Sequence, residues 1–183
     1  MKLSDEALYE HYRKTQEDWA LEELFERFRS GLTLFLYDFV KDAEDAEELM
    51  LDTFAAAISE NARFKGESSF KNWLYAIGRN RAVSFLRKKR FSLVPIQEDS
   101  AKTSLEPALE LIREEDKRRL YQAIEQLEPQ YRQVLILVYM EDMTSEEVAV
   151  IMKKTRKQVY NLTFRGKEAL KKILEETEYP FHE

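Results

Sequence analysis

The chain contains no cysteine among its 183 residues, which excludes a disulfide framework and a thiolate metal site. Glycine and proline are scarce, at four residues each, while leucine, alanine, glutamate and lysine abound, and this composition favours an all-helical protein. The longest apolar runs are far too short for a membrane span, and the N-terminus lacks the apolar segment of a signal peptide. We therefore expect a cytoplasmic protein of one domain or two small ones.

The charges are unevenly distributed along a chain whose formal net charge is −6. Eight acidic residues and one lysine lie between Asp38 and Glu60, whereas six basic residues and no acidic one lie between Arg79 and Arg90. A further eight basic residues and one acidic residue lie between Lys153 and Lys172. One such block is equally well explained by a solvated helix face, but two basic blocks flanking a flexible middle indicate contact with nucleic acid.

Apolar residues at three- and four-residue steps predict helices through the first ninety residues. Ser4 or Asp5 can cap the first helix, Asp42 the third, and Ser68 or Ser69 the fourth. The predicted inward face of the fourth helix consists of Phe70, Trp73, Leu74, Ile77, Val83 and Leu86.

The segment from Thr144 to Leu174 has the pattern of a helix-turn-helix. Its first helix carries Val148, Ile151 and Met152 inward, and a polar turn follows. The second helix could enter a DNA major groove, since its polar side carries cations for phosphates and amides for base edges. Its polar side consists of Arg156, Lys157, Gln158, Tyr160, Asn161, Thr163, Arg165 and Lys167.

Three segments together resemble the sigma factors of bacterial RNA polymerase in the small, two-domain extracytoplasmic-function group of the sigma-70 family. They are residues 42–54 (DAEDAEELMLDTF), 63–90 and 127–170, which occur in the family's order with a linker between them. The resemblance implies an all-α protein with a sigma region 2-like domain at residues 1–91 and a region 4-like helix-turn-helix domain at 113–176. A flexible linker at 92–112 would join them, and residues 177–183 would form a short tail.

In the family, an acidic helix of the first domain docks on the clamp helices of the polymerase's largest subunit. Three carboxylates at steps of three and four residues, those of Asp45, Glu48 and Asp52, would share one face of this helix. Leu51 stands where the family usually has glutamine. The polymerase-binding residues that the resemblance implies are Asp45, Glu48, Leu49, Asp52 and Thr53.

Residues 63–90 correspond to the part of the family that opens and holds the promoter's −10 element. Melting needs cations for the phosphates and apolar or aromatic surfaces for unstacked bases, and Phe64, Phe70, Trp73 and Tyr75 supply rings. Trp73 also fits the apolar stripe, and a core position is the favoured interpretation for it. The expected −10 residues are Lys65, Gly66, Ser68, Ser69, Phe70, Trp73, Asn80, Arg81, Ser84, Arg87 and Lys88.

The C-terminal segment corresponds to the part of the family that recognises the −35 element as duplex DNA. Lys153 stands at the turn position that glycine usually holds, and a lysine adopts a positive φ there only at some backbone cost. Lys154 replaces a usual apolar residue. The expected −35 residues are Lys154, Thr155, Arg156, Lys157, Gln158, Tyr160, Asn161, Thr163, Arg165 and Lys167.

The resemblance implies core RNA polymerase and promoter DNA as partners, often with an anti-sigma factor as inhibitor, and no cofactor, metal or catalytic residue. An alternative function is a stand-alone helix-turn-helix regulator that binds duplex DNA as a dimer, which leaves residues 42–90 unexplained. A nucleic-acid hydrolase is a third possibility, but the chain has only two histidines and no phosphate-binding glycine loop.

Overall fold

The structure is a computed structural model that describes residues 3–59, 64–91 and 115–176. Within those ranges the chain is helical and has no β-strand. It divides into two compact units, Met1–Ala108 and Leu109–Glu183, which confirms the predicted all-α fold with two helical units. The predicted linker at 92–112 and tail at 177–183 lie outside the described residues.

Four helices form the described part of the first unit: α1 (Asp5–Thr15), α2 (Asp18–Val40), α3 (Ala43–Ile58) and α4 (Phe70–Phe91). Two of the expected caps are present. Ser4 Oγ accepts a hydrogen bond from the Ala7 amide at 3.2 Å, and the Asp42 carboxylate accepts one from the Asp45 amide at 2.9 Å. Each cap satisfies an amide that no carbonyl within its helix can reach, so these helix starts are determined locally.

Close packing around Gly78 places α4 beside α2 and α3. A Cβ atom at Gly78 would lie 3.1 Å from Leu32 Cδ1 and 3.4 Å from Thr53 Oγ1, so a glycine permits this approach. Leu32, Leu36 and Leu74 have no exposed surface around this contact. The packing brings the acidic α3 and the basic α4 side by side, so each lies within reach of the other's side chains.

The inward face of α4 differs from the predicted one at Val83, which is 44% exposed. The buried positions of this helix include Phe70, Leu74, Gly78 and Ala82, which repeat every fourth residue. Val83 follows Ala82 and is therefore rotated by about 100° from that stripe. The prediction of an inward Val83 was wrong because the tight contact at Gly78 sets the rotation of α4.

The second unit contains α5 (Glu115–Ile124), α6 (Pro129–Leu135), α7 (Ser145–Met152) and α8 (Arg156–Glu176). A turn of π-helix, Ile136–Met140, extends α6. Gly166 of α8 lies against α6, since a Cβ atom there would be 3.4 Å from Leu135 Cδ1. The core of this unit includes Tyr121, Ile124, Val134, Leu135, Val148 and Val159, none with exposed surface. This core holds α7 and α8 in a helix-turn-helix arrangement.

Candidate polymerase-docking and nucleic-acid surfaces

Five carboxylates of α3 reach solvent, and we call three of them the acidic face: Asp45, Glu48 and Asp52. Glu48 is exposed, the Asp52 side chain is 57% exposed and the Asp45 side chain 25% exposed. Leu51 is 50% exposed on the same helix. The departure from the family's usual glutamine at Leu51 therefore alters a surface position and leaves the core unchanged.

Two residues expected to bind polymerase are in the core. Leu49 is 5% exposed, and Thr53 has no exposed surface. The Thr53 hydroxyl donates a hydrogen bond to the Leu49 carbonyl at 2.6 Å and packs against Gly78. Their assignment to a polymerase contact is therefore corrected, because the packing of α3 on α4 turns both side chains inward.

Ion pairs join the acidic face to α4. Arg81 Nη1 lies 3.3 Å from Asp52 Oδ2, and Lys89 Nζ lies 3.1 Å from Asp45 Oδ2. Such partly exposed pairs stabilise a protein by only about 0–1 kcal/mol each. Asp52, expected to bind polymerase, is thus paired with Arg81, expected to bind DNA.

A groove of about 440 Å³ lies between α3 and α4. Four residues expected to contact the −10 element line its α4 side: Asn80, Arg81, Ser84 and Lys88. Leu49, Asp52 and Ala56 line the other side, so Leu49 contributes to the wall although its side chain is buried. The structure thus brings these polar α4 residues together around one concave surface of mixed polarity.

The loop before α4, residues 65–69, places most of its side chains in solvent. Lys65, Gly66 and Ser68 are exposed, and Gly66 has a φ of 72°, a left-handed conformation that glycine adopts without strain. Ser69 is half-buried, and its Oγ accepts a hydrogen bond from the Asn72 amide at 3.2 Å. Ser69 is therefore the cap of α4, which confirms one of the two predicted alternatives, Ser68 or Ser69.

Two of the four aromatic residues expected near this loop belong to the core. Phe70 is 1% exposed and Tyr75 has no exposed surface, so stacking of a base on either is incompatible with this packing. Trp73 is half-buried, and its ring centroid lies 5.4 Å from that of Phe64 and 5.8 Å from that of Phe70. The assignment of Phe70 to the −10 surface is corrected, because it faces the buried stripe of α4.

The turn between α7 and α8 contains a residue in a left-handed backbone conformation. Lys153 adopts φ 53° and ψ 48°, so a lysine occupies the left-handed region where glycine is favoured. The Lys154 amide donates a hydrogen bond to the Ala149 carbonyl at 3.0 Å. Lys154 is itself half-buried, whereas Lys153 is exposed.

Most of the expected −35 residues are on the solvent side of α8 or at its start. The exposed ones are Thr155, Arg156, Lys157, Gln158, Tyr160, Asn161, Arg165 and Lys167. Thr163 is half-buried and donates to the Val159 carbonyl at 2.9 Å. Phe164, which the sequence analysis missed, is 59% exposed. Its position one turn after Tyr160 was the signal available in the sequence.

A reciprocal cap occupies two of these side chains at the start of α8. Thr155 Oγ1 accepts a hydrogen bond from the backbone amide of Gln158 at 3.2 Å, and Gln158 Oε1 accepts one from the backbone amide of Thr155 at 2.8 Å. The carbonyl end of the Gln158 side chain is thus committed to the cap, and its amide nitrogen is the end that can donate to DNA. Arg156 Nη2 lies 2.5 Å from Glu146 Oε1 of α7.

Residues 24–92 match the family described as Sigma-70 region 2, and residues 117–170 match that described as Sigma-70, region 4. The chain belongs to the sigma-70 family. Within it, the chain is a sigma factor of the extracytoplasmic-function group. It binds core RNA polymerase and directs promoter-specific transcription initiation, with promoter DNA as its second partner.

Relatives of this sigma factor align along most of its length. It is 26% identical over 159 residues to the ECF RNA polymerase sigma factor SigX of Bacillus subtilis (strain 168), covering 83% of this chain and 82% of SigX. It is 28% identical over 157 residues to the RNA polymerase sigma factor YlaC of the same organism, covering 84% of this chain and 91% of YlaC.

Two solved structures have the same fold as this sigma factor. CnrH, solved in complex with the cytosolic domain of CnrY, gives a TM-score of 0.64 at 21% identity, covering 93% of this chain and 97% of CnrH. RpoE from Bartonella quintana, solved with the anti-sigma factor NepR, gives a TM-score of 0.62 at 21% identity, covering 85% of this chain and 96% of RpoE. No helix within the three described ranges is long and apolar enough to cross a membrane.

Proposed function

We propose that this sigma factor divides promoter recognition between its units and docks on polymerase through the acidic face of α3. One observation carries the proposal: the two sigma-70 regions match in order, and their matched ranges contain the acidic α3, the basic α4 and residues 156–170 of the basic α8. Each surface has the charge its partner requires, since DNA needs cations and a basic protein surface needs carboxylates.

The acidic face would bind the clamp helices of the polymerase's largest subunit. Asp45, Glu48 and Asp52 support this role because all three reach solvent on one helix. Asp45 and Asp52 already attract cations of α4, so a basic partner surface would exchange one ionic partner for another. Association through such contacts is expected to weaken as salt rises.

The groove between α3 and α4 and the loop at residues 65–69 would hold the melted −10 element. The cations Arg81, Arg87 and Lys88 would neutralise phosphates, and Asn80 and Ser84 would offer hydrogen bonds to bases. The exposed loop would receive a base that has left the stack, which costs a few kcal/mol to extract from the duplex. Trp73 would contribute only the exposed part of its side chain, since the residue is half-buried and its ring contacts Phe64 and Phe70.

Helix α8 would enter the major groove at the −35 element. Arg156, Lys157 and Gln158 stand at its N-terminal end, which is the part of a recognition helix that contacts base edges. Tyr160 and Asn161 follow in the next turn, and Arg165 and Lys167 are placed to hold phosphates. Phe164, exposed beside them, adds an apolar surface to this face.

Replacing Gln158 by glutamate should relax the preference at one base pair of the −35 element. Glutamate can accept the same hydrogen bond from the Thr155 amide, so the cap of α8 remains, but the donor to DNA is lost. We expect a loss of about 1–3 kcal/mol in discrimination at that base pair. Competition between duplexes with single −35 substitutions, measured with the holoenzyme, gives this ratio and cancels the uniform repulsion from the added charge.

Thr155→Ser is the matched control, because serine keeps the hydroxyl both for the cap of α8 and for any contact of this residue with DNA, and it should leave the preference unchanged. If Gln158→Glu weakens binding equally on every duplex, Gln158 makes no base contact and the substitution acts only through the negative charge of glutamate.

An anti-sigma factor is a further proposed partner. CnrH and RpoE, which share this fold, were solved with the cytosolic domain of CnrY and with the anti-sigma factor NepR, respectively. We also infer that the chain works in the cytoplasm and has no catalytic chemistry of its own, as a polymerase subunit that supplies binding alone. The alternative of a stand-alone regulator is less favoured, because it gives no role to the match over residues 24–92.

Run-off transcription with purified core polymerase and a promoter library tests this function directly. The expected result is initiation from a subset of promoters that share −10 and −35 elements. No initiation is expected when the sigma factor or core polymerase is omitted. Failure to bind core polymerase, or binding without initiation from any template, would overturn the proposal.

A further inference from the structure

The first helix, α1, supports the start of α4 across 64 residues of sequence. Glu6 Oε1 accepts a hydrogen bond from the Phe70 amide at 2.9 Å. This amide is in the first turn of α4, where no carbonyl of the helix can pair with it. The Ser69 hydroxyl accepts from Asn72 in the same turn, so two side chains divide the capping of α4 between them.

The same hydrogen bond favours the ionised form of the Glu6 carboxyl group. The hydrogen bond that the carboxylate accepts from the Phe70 amide is the main cause that lowers the pKa of Glu6 below its ordinary value. A carboxylate at a helix N-terminus is also favoured by the helix dipole. Glu6 therefore places a negative charge beside the start of α4.

Tyr9 of α1 contacts the residues on both sides of the loop at 65–69. Its ring centroid lies 6.0 Å from that of Phe64 and 5.1 Å from that of Phe70, and its hydroxyl donates to the Ala57 carbonyl at 2.9 Å. Tyr9 is 4% exposed, so this position is set by packing and by a hydrogen bond to α3. The two ends of an otherwise exposed loop are thus held against one buried ring.

These contacts assign α1 a place in the recognition of the promoter. We propose that Glu6 and Tyr9 are positioning residues that hold the loop at 65–69 in the shape that receives a −10 base. This inference rests on the proposed function of the loop. Residues 5–15 precede the range matched by Sigma-70 region 2, which begins at residue 24, so the support comes from outside the matched segment.

Holoenzyme assembled with core polymerase and the full chain provides the test. Open-complex formation is measured on a promoter with the preferred base at the flipped position and on templates with that base substituted. Glu6→Ala is expected to lower the ratio between these templates by up to about fivefold, the factor that corresponds to the whole free energy of one helix cap. Glu6→Gln keeps an acceptor oxygen and should therefore retain most of the wild-type ratio between the templates.

Two further variants make the result specific. Glu10→Ala is the matched control on α1, since Glu10 is exposed and pairs with Lys14 at 3.6 Å, and it should leave the ratio unchanged. Tyr9→Leu removes the ring that contacts Phe64 and Phe70 and should lower the ratio as Glu6→Ala does. Polymerase affinity should stay at the wild-type value in all of these variants.

Loop variants separate this inference from the function on which it rests. If Lys65→Ala with Ser68→Ala lowers the ratio but Glu6→Ala does not, the positioning role is refuted and the function of the loop stands. If the loop variant also leaves the ratio unchanged, the loop receives no base and both ideas fail. An equal loss on all templates with weaker polymerase binding would make Glu6 a stabilising residue only, and would also refute the positioning role.

Discussion

Replacing Asp45 and Glu48 together by lysine is expected to abolish binding of this sigma factor to core polymerase, with a loss of at least about 100-fold in affinity. Both carboxylates belong to the acidic face, and the substitutions would present cations to a basic partner surface. Like charges placed opposite each other across an interface cost several kcal/mol, and each 1.4 kcal/mol is about a tenfold change. Co-purification and a binding titration with labelled sigma factor measure the effect.

Asp45 and Glu48 differ in their surroundings, so a substitution at Glu48 alone separates the loss of binding from an effect on the fold. Asp45 pairs with Lys89, so a lysine there would also repel a neighbour on α4. Glu48 is exposed on the same face, and Glu48→Lys alone should retain the fold and still weaken binding by about tenfold. Circular dichroism should give the helix content of the wild type for both variants.

A matched pair of reversals controls for net charge. Glu10 and Glu175 are exposed carboxylates at a distance from α3 in sequence, with side chains 65% and 57% exposed. Replacing both by lysine changes the net charge by the same amount and should leave polymerase affinity within about twofold, since surface charges outside an interface act only weakly. Wild-type affinity of the Asp45 and Glu48 variant would remove the acidic face from the docking surface.

Replacing Arg87 and Lys88 together by glutamate should prevent open-complex formation while polymerase binding persists. Both side chains are exposed near the C-terminal end of α4, where the proposed function places the phosphates of the −10 element. We expect open-complex formation to fall by at least about 100-fold, because two attractive interactions with phosphates become repulsive. The dependence of log K on log salt should become shallower by about 0.7–0.9 for each phosphate that the variant no longer neutralises.

Permanganate footprinting of the −10 region and a salt titration of complex formation measure these changes. Lys14→Glu with Lys117→Glu is the matched control, because both lysines are exposed and neither belongs to the expected DNA surfaces or to the two basic blocks. Normal opening by the Arg87 and Lys88 variant, with an unchanged salt slope, would show that the basic end of α4 does not bind the promoter.

Local features of the fold followed from the sequence because they depend on neighbours a few residues apart. Ser4 and Asp42 were recognisable as caps, since each bonds to an amide three residues later. The outward position of Glu48 and Asp52 followed from their four-residue spacing on one helix. The position of the turn in the helix-turn-helix was also predicted, whereas the left-handed conformation of Lys153 comes from the structure.

Errors arose where burial depends on how one helix packs against another. Thr53 is polar and stands beside Asp52, and nothing in its local sequence shows that Gly78 opens a space for it. Val83 is apolar and was expected inside, but the approach of α4 at Gly78 turns it outward. Phe70 was expected to offer its ring to a base, whereas the same packing buries it.

By itself, the sequence determined the helices, the order of the two units, the family and the sign of charge on each surface. These follow from periodicity, from motifs in order and from bonds between near neighbours. Only the tertiary structure decided that Arg81 meets Asp52, that Lys89 meets Asp45 and that Glu6 caps α4. Those partners are 29, 44 and 64 residues apart, and hydrogen bonds and ion pairs act over a few ångströms in space, so helix packing selects them.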